Sequence, residues 1–508
     1  MRLRAPQTVG IIGGGPAGLT AGAFLARAGW AVDVFDKADR PGGCASDYDW
    51  GDCRFPTGAT LVFGMESRGA LRTLLEELNI TVPVHLLHHP LDVVLYDRVV
   101  GIYADAAAQQ AEWLARFPTI APAISRLMRH VRIIADAVYA LAQARTRWPV
   151  RALGDAWSAA AALWDHPQSW FSLLWYFAKP WPAVLAAHHL DGADSPEKVA
   201  FQQMLDALLI DSIQTTGHDA SALMAAVALD MYRRGSFRVP GGLKPVAQAL
   251  AERIEEEGGA IHYRTVVRNC QWIRATGQWA VSAGPGAPQQ FSRLINATGR
   301  PLPTRPDGIP RLPSASPPGP HELGAFRIDG VISRRSLPAA IVRDLPRSFQ
   351  ILLPPDPQCL QYLQGAVYLT FHRGFCASPA DILWTASAHT EIRHWQPRMA
   401  KAAYRAQKQE VARCLAAVCE RVVPHLRELS SQFHIATPAT YYRFVHKFAV
   451  GGVPLTAAGF GKLPGSFTPQ PHLYQAGDTV FPGPGILSAS LSGFLAARAI
   501  AGWRIHPR

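Results

Sequence analysis

Gly13, Gly15 and Gly18 stand at G-x-G-x-x-G spacing near the start of the 508-residue chain, with Asp36 downstream. These residue types in this pattern bind a dinucleotide. Gly13 turns the chain out of a strand, Gly15 lets a pyrophosphate approach the backbone, and Gly18 lets helix and strand pack closely. The phosphates then meet free N–H groups at a helix N-terminus, and the acid accepts the ribose hydroxyls. A tight but empty turn is the plain alternative. Other reactive groups are few. No Ser-His-Asp arrangement and no metal-ligand spacing is recognisable, so no metal is expected. The acid/base candidates are Asp211 and His218 in "IDSIQTTGHD" and His389 in "SAHT". A histidine among apolar neighbours is more often structural, and Asp211 also reads as capping a helix turn. The chemistry therefore falls to a bound group.

Positioning these glycines requires a strand, a helix and a second strand. "TVGIIG" is a continuous apolar run ending at glycine, which predicts a short buried strand. "GGPAGLTAGAFLARAG" predicts a helix with Leu19, Ala23, Leu25 and Ala26 as its stripe and Gly29 closing it. "AVDVF" predicts the second strand, ending at Asp36. A similar strand-loop-helix pattern recurs near the C-terminus, where "HLYQAGD" ends in Gly477 and Asp478, "PGPG" is a loop and "ILSASLSGFLAARAI" is helical. Between them, Gly241 and Gly242 open a helix with the stripe Val246, Leu250 and Ile254, closed by Gly258 and Gly259. "AIHYRTVV" then predicts one strand, and "FSRLINATG" another, ending at Gly299.

The residues after Asp36, "DKADRPGGCAS", resemble the R-x-G-G extension of glutathione-reductase-like FAD proteins, with Arg40, Gly42 and Gly43 at the matching positions. That resemblance implies FAD rather than NAD, and Gly58 in "FPTGAT" near the flavin ring. In such proteins the Asp of the C-terminal G-D pair bonds the ribityl chain, and the following helix points its positive end at the flavin. Together with "VPGGLKPVAQALAERI", "INATG", "WTASAHTEIRHW" and "GDTVFPGPGI", these stretches resemble the carotenoid desaturases and carotenoid isomerases, the phytoene-desaturase-like branch of FAD-dependent enzymes with an amine-oxidase-like fold. The family often has an acidic residue where Pro56 and Thr57 stand. The cofactor-binding set so implied is Gly13, Gly15, Pro16, Ala17, Gly18, Asp36, Lys37, Arg40, Gly42, Gly43, Gly58, Ala59, Thr60, Val266, Val267, Gly299, Gly477, Asp478, Gly485, Ile486 and Leu487. A backbone group at Val266 or Val267 would read adenine.

The expected fold is α/β: a Rossmann-type, glutathione-reductase-like FAD-binding domain, discontinuous in sequence, with an inserted α+β substrate domain. FAD-binding parts are expected at 1–85, 236–300 and 441–508. Substrate parts are expected at 86–235, with membrane contact and a hairpin in "DVVLYDRVVGIY", and at 301–440. The latter opens with the proline-rich "RPLPTRPDGIPRLPSASPPGP" and contains strand-like "FQILLPP" and "AVYLTFHRG", then a long helix.

Composition narrows the partners. Charged residues make up 17% of the chain and the formal net charge is +12. With no dense basic run and no zinc-finger spacing, nucleic acid is not expected, and an anionic membrane surface fits the charge better. "WDHPQSWFSLLWYFAKPW" carries Trp164, Trp170, Phe171, Trp175, Tyr176, Phe177 and Trp181. This aromatic density reads as an interfacial helix, with Lys179 and Arg151 meeting anionic lipid, as the lining of a substrate tunnel, or as plain core. The seven cysteines are scattered without a C-x-x-C pair, the usage of a reducing cytoplasm rather than of a disulfide scaffold. "MRLR" and the apolar run after it imitate a secretory signal, which the glycine spacing explains better. The expected location is the cytoplasm, at the inner membrane surface.

The resemblance implies oxidation of a long apolar polyene by hydride transfer to flavin N5, as in a bacterial carotenoid desaturase, with a quinone or oxygen as electron acceptor. Cis-trans isomerisation with reduced FAD, an amine-oxidase-type activity and a non-catalytic lipid-binding role are the alternatives.

Overall fold

The computed structural model describes residues 7–58, 60–146, 153–164, 166–177, 179–284, 286–302, 322–395, 399–449 and 451–502. The expected proline-rich loop falls almost wholly outside them, as do Ala59 and Arg151. The opening run forms the strand Thr8–Ile12, the helix Pro16–Arg27 and the strand Ala31–Phe35. The strands pair in parallel, Thr8 opposite Ala31 through Ile12 opposite Phe35. Gly29, at φ +83°, closes the helix by donating its N–H to Ala26 O at 2.9 Å.

This unit seeds a five-stranded parallel sheet of order Leu473–Gln475, Arg293–Asn296, Thr8–Ile12, Ala31–Phe35 and Ala260–His262. Stretches from the beginning, middle and end of the chain thus share one sheet. The helix Lys244–Glu256 buries Val246, Leu250 and Ile254 as its stripe predicts, and Ile254 reaches the first helix at Gly22. The expected single strand over "AIHYRTVV" is two. Arg264 sits at φ +52°, and the turn is pinned to the chain after the second strand, Arg264 N–H to Ala38 O and Thr265 N–H to Asp36 O, each 2.8 Å. The following strand, Val267–Ile273, leaves for a separate three-stranded antiparallel sheet.

A seven-stranded sheet forms the second layer. Its order is Ser430–Ala436, Leu323–Ser333, Asp381–Glu391, Gln364–His372, Arg347–Leu352, Leu91–Val94 and Val99–Ile102. The expected hairpin supplies its last two strands. Side chains alternate across such strands. One face buries Phe326, Ile328, Ile351, Leu369 and Trp384 against Val411 and Leu415 of the helix Lys401–Cys419. The other face presents Arg327 opposite Ser387, Asp329 opposite Thr385, Ser348 opposite Thr370 and Gln350 opposite Tyr368. A third apolar cluster joins the helices Ala121–Gln143, Pro196–Ile213 and Ala222–Arg234.

The cysteine expectation needs correction. Cys53 and Cys376, 323 residues apart, form a disulfide. The backbone brings them together: Arg54 N–H bonds Phe375 O at 2.7 Å, and Ala377 N–H bonds Asp52 O at 2.9 Å. A pairing made by tertiary approach leaves no spacing signal. The other five cysteines are free.

Among the described residues, no helix is long and apolar enough to cross a membrane. Within the aromatic segment, Trp181 and Tyr176 are buried, as the core reading expects. Trp164, Trp170, Trp175 and Phe177 are exposed, and so is Trp157 on the preceding helix, Leu153–Leu163.

Candidate functional site

One cavity of about 2770 Å³ opens beside both sheets. Ordinary ligand pockets reach roughly 1,000 Å³, so this one has room for more than one sizeable molecule. Its glycine-rich end is built by the first helix and the C-terminal helix, Ile486–Ala501. Gly15 and Gly485 precede their first turns, and neither helix has a side-chain cap at its N-terminus. A Cβ built on either glycine would meet no atom within 4 Å. The open backbone and the uncapped N–H groups form the cradle that a pyrophosphate and a flavin edge need. Gly18 acts behind the cradle, where a Cβ would lie 1.9 Å from Gly13 O. The residues present therefore fit FAD.

The expected cofactor set gathers here. Gly13, Gly15, Pro16, Ala17, Asp36, Lys37, Arg40, Gly43, Gly58, Thr60, Val266, Val267, Gly477, Asp478, Gly485, Ile486 and Leu487 line the cavity. Gly18, Gly42 and Gly299 stand behind it. Gly42 donates its N–H to Gly14 O at 2.8 Å, docking the "RPGG" segment onto the first turn. Asp36 accepts from the N–H groups of Gly14 at 2.6 Å and Ala38 at 2.7 Å, which fixes its carboxylate at the strand end. Arg40 bonds Asp47 and Asp49, both at 3.0 Å. Asp478 pairs with Lys447 Nζ at 2.6 and 2.8 Å, a partner the motif did not announce. Thr57 donates to Ser46 O at 2.9 Å and Cys44 O at 3.1 Å and so braces the turn beneath Gly58.

Away from the glycines the cavity has two unlike walls. Helices supply Leu223, Met224, Val227 and Met231, while the seven-stranded sheet supplies Arg327, Asp329, Thr385, Ser387 and His389. Arg327 and Asp329 form a buried pair at 2.6 Å; Tyr48 donates to Asp329 at 2.8 Å, and Arg327 donates to Gly58 O at 3.3 Å. Burial works against the Arg327 charge, but Asp329 together with Tyr441 and Tyr48 outweighs it and keeps the guanidinium protonated. Burial raises the Tyr48 phenol, and Asp329 raises it further. Beneath the sheet surface, Arg238 bonds Ser348 at 2.9 Å and His372 at 3.2 Å, and burial with Arg238 beside it holds His372 neutral. Sequence reading missed this polar face, although the alternation R-I-D and T-A-S-A-H carries it.

The three acid/base candidates part company. His218 is on the surface with its ring against Asp219 and does not line the cavity; the helix that carries Asp211 ends at Ile213, before it. Asp211 is not a cap but lies inside the helix Pro196–Ile213 and faces the cavity. The carboxyl keeps accessible surface: Asp211 is an exposed residue that lines the chamber. Burial pushes its carboxyl up to about 6, with the Gln350 amide drawing it down. His389 also faces the cavity, with Nε2 3.1 Å from Gln214 Oε1, and burial lowers it to about 4.

Comparisons with known proteins agree with this arrangement. Residues 11–78 match the model of the NAD(P)-binding Rossmann-like domain. The chain is 23% identical to a chloroplastic prolycopene isomerase of Arabidopsis thaliana, over 97% of this chain and 82% of the relative. It is 24% identical to a 4,4'-diapophytoene desaturase (4,4'-diapolycopene-forming) of Methylomonas sp, over 51% of this chain and 47% of the relative. A putrescine oxidase structure bound to putrescine shares the fold, with a TM-score of 0.60, 16% identity and 98% of each chain covered.

Proposed function

We take as premise that this chain is a carotenoid desaturase/isomerase-like oxidoreductase, and we propose that it holds one FAD and oxidises a long apolar polyene. The observation carrying this reading is the meeting of two uncapped helix N-termini, from opposite ends of the chain, on one chamber with an apolar helical wall. In this reading the FAD-binding unit is discontinuous and glutathione-reductase-like, built from 1–85, 236–300 and 441–508. Segments 86–235 and 301–440 form the inserted substrate unit.

Bound FAD supplies acceptance of a hydride from an allylic C–H. The protein's own residues do the rest. N–H groups beyond Gly15 would hold the pyrophosphate, the Asp36 carboxylate would hold the ribose, and the N–H groups beyond Gly485 would favour negative charge on the ring. Asp478, steadied by Lys447, would bond the ribityl chain. Leu223, Met224, Val227 and Met231 line the polyene and exclude water. Desaturation also releases a proton, and His389, kept neutral by burial, is an acceptor facing the chamber. The electrons leave to a quinone or to oxygen. Exposed Trp157, Trp164, Trp170 and Trp175 lie on or beside the contacting helices Leu153–Leu163 and Pro167–Tyr176 and suit the headgroup level of a membrane, from which such a substrate would enter. The corresponding location is the cytoplasmic face of the inner membrane.

Isomerisation of a polyene with reduced FAD is the second reading, favoured by the match to prolycopene isomerase along 97% of the chain. Expression in cells supplied with acyclic polyenes, followed by chromatography of the pigments, separates the two. New double bonds support desaturation, changed geometry at constant mass supports isomerisation, and unchanged pigments contradict both.

A further inference from the structure

A chamber built only for hydrocarbon has no use for a polar wall. Here one wall is apolar and the other carries buried charges and hydroxyls, and one group faces the gap between them. Asp211 sits in the last turn of the helix Pro196–Ile213 and opens into the chamber. It stands against the cross-strand pair Gln350 and Tyr368. Among the described residues no Lys, Arg or His forms an ion pair with it. The Gln350 amide lies beside the carboxyl, and neither of its ends makes a well-aligned hydrogen bond. The Tyr368 hydroxyl is buried beside the Ser348 and Thr370 hydroxyls and likewise makes no well-aligned hydrogen bond. Apolar side chains, Ile213 and Met231 among them, line the chamber with it. The Gln350 amide and the Tyr232 and Tyr368 hydroxyls are the neutral donors beside it, and the part of the carboxyl that opens into the chamber is left for a further donor.

We propose that Asp211 accepts a hydrogen bond from a hydroxyl group of the substrate, so that the preferred ligand is a hydroxylated polyene rather than a pure hydrocarbon. This rests on the polyene reading above and narrows its substrate class. An ionised carboxylate only accepts, so the matching group must donate. An alcohol does so; an ether or a ketone does not. A hydrocarbon end placed there would strip water from the carboxylate and return nothing, which is how polar sites reject analogues that lack the polar group.

The FAD-loaded protein is titrated, with tryptophan fluorescence quenching as readout, with an acyclic polyene, its terminal alcohol and the methyl ether of that alcohol. The alcohol is expected to bind at least about ten-fold more tightly than the other two, the range of a hydrogen bond to a charged group. In Asp211→Leu that preference disappears or reverses, and in Asp211→Asn it shrinks, with thermal melting confirming that both variants are folded. Equal affinity for alcohol and hydrocarbon, equal affinity for alcohol and ether, or an unchanged preference in Asp211→Leu overturns the inference and leaves the polyene reading intact. Failure of all three ligands to bind overturns the polyene reading itself.

Discussion

A Cβ built on Gly493 would lie 2.1 Å from the carbonyl oxygen of Ala17. The last helix and the first therefore touch backbone to backbone, and their N-termini open on one chamber. Gly493→Ala must push the two helices apart. Overpacking of this kind costs about 1–3 kcal/mol. Denaturant melting is expected to show that loss, and the purified variant to retain less flavin per chain than wild type. Full stability and full flavin content would contradict the contact.

Gly15 offers the opposite case. Its φ of −79° and ψ of 176° suit any residue, and a Cβ there meets nothing within 4 Å. Gly15→Val should fold with wild-type stability while its side chain fills the space a pyrophosphate needs. The expected result is an unchanged melting temperature of the flavin-free protein and at least a ten-fold weaker FAD affinity, on the order of one lost charge-assisted hydrogen bond. A melting temperature that falls with unchanged affinity would show that the glycine is there for packing.

Much of the first fingerprint was legible because its demands are local: the turn at Gly13, the clearance at Gly15 and the contact at Gly18 all arise within one strand-helix unit. The polar face of the seven-stranded sheet was harder to read. "RID" and "TASAHT" alternate as a half-polar strand should, but sequence does not say which face meets a core and which a chamber. The Cys53–Cys376 and Lys447–Asp478 pairs were not readable at all, since backbone approach between remote segments makes them. His218 misled for a related reason. It is seven residues from Asp211, but the helix ends between them, and only Asp211 turns inward.

Asp211 and His389 carry opposite pH signatures. The Asp211 carboxyl, near 6 when folded, lies above its unfolded value of roughly 3.9. Between those values the folded state holds more protons, so this contribution to stability falls as pH rises. His389, near 4 when folded, lies below its unfolded value of roughly 6.5, so its contribution rises with pH over almost the same window. Tyr232 and Tyr368, which face Asp211, are raised and stay protonated there. Relative to wild type, Asp211→Asn should steepen the rise of stability between about pH 4 and 6, and His389→Gln should flatten or invert it. Denaturant melts across that range check both, and curves parallel to wild type would contradict the assignments.

Trp157 and Trp164 are each 77% exposed. Replacing both with Ser should change stability by no more than about 0.5 kcal/mol, as expected for surface sites. Co-sedimentation with vesicles containing anionic lipid should drop several-fold. Unchanged sedimentation would remove these residues from membrane contact.

Titration of the purified chain with FAD, followed by flavin absorbance and fluorescence quenching, tests the shared chamber most directly. One equivalent bound per chain, weakened both by Gly15→Val at the first fingerprint and by Asp478→Leu at the last, is the predicted result. No uptake of FAD, or uptake indifferent to one of the two ends, would contradict it.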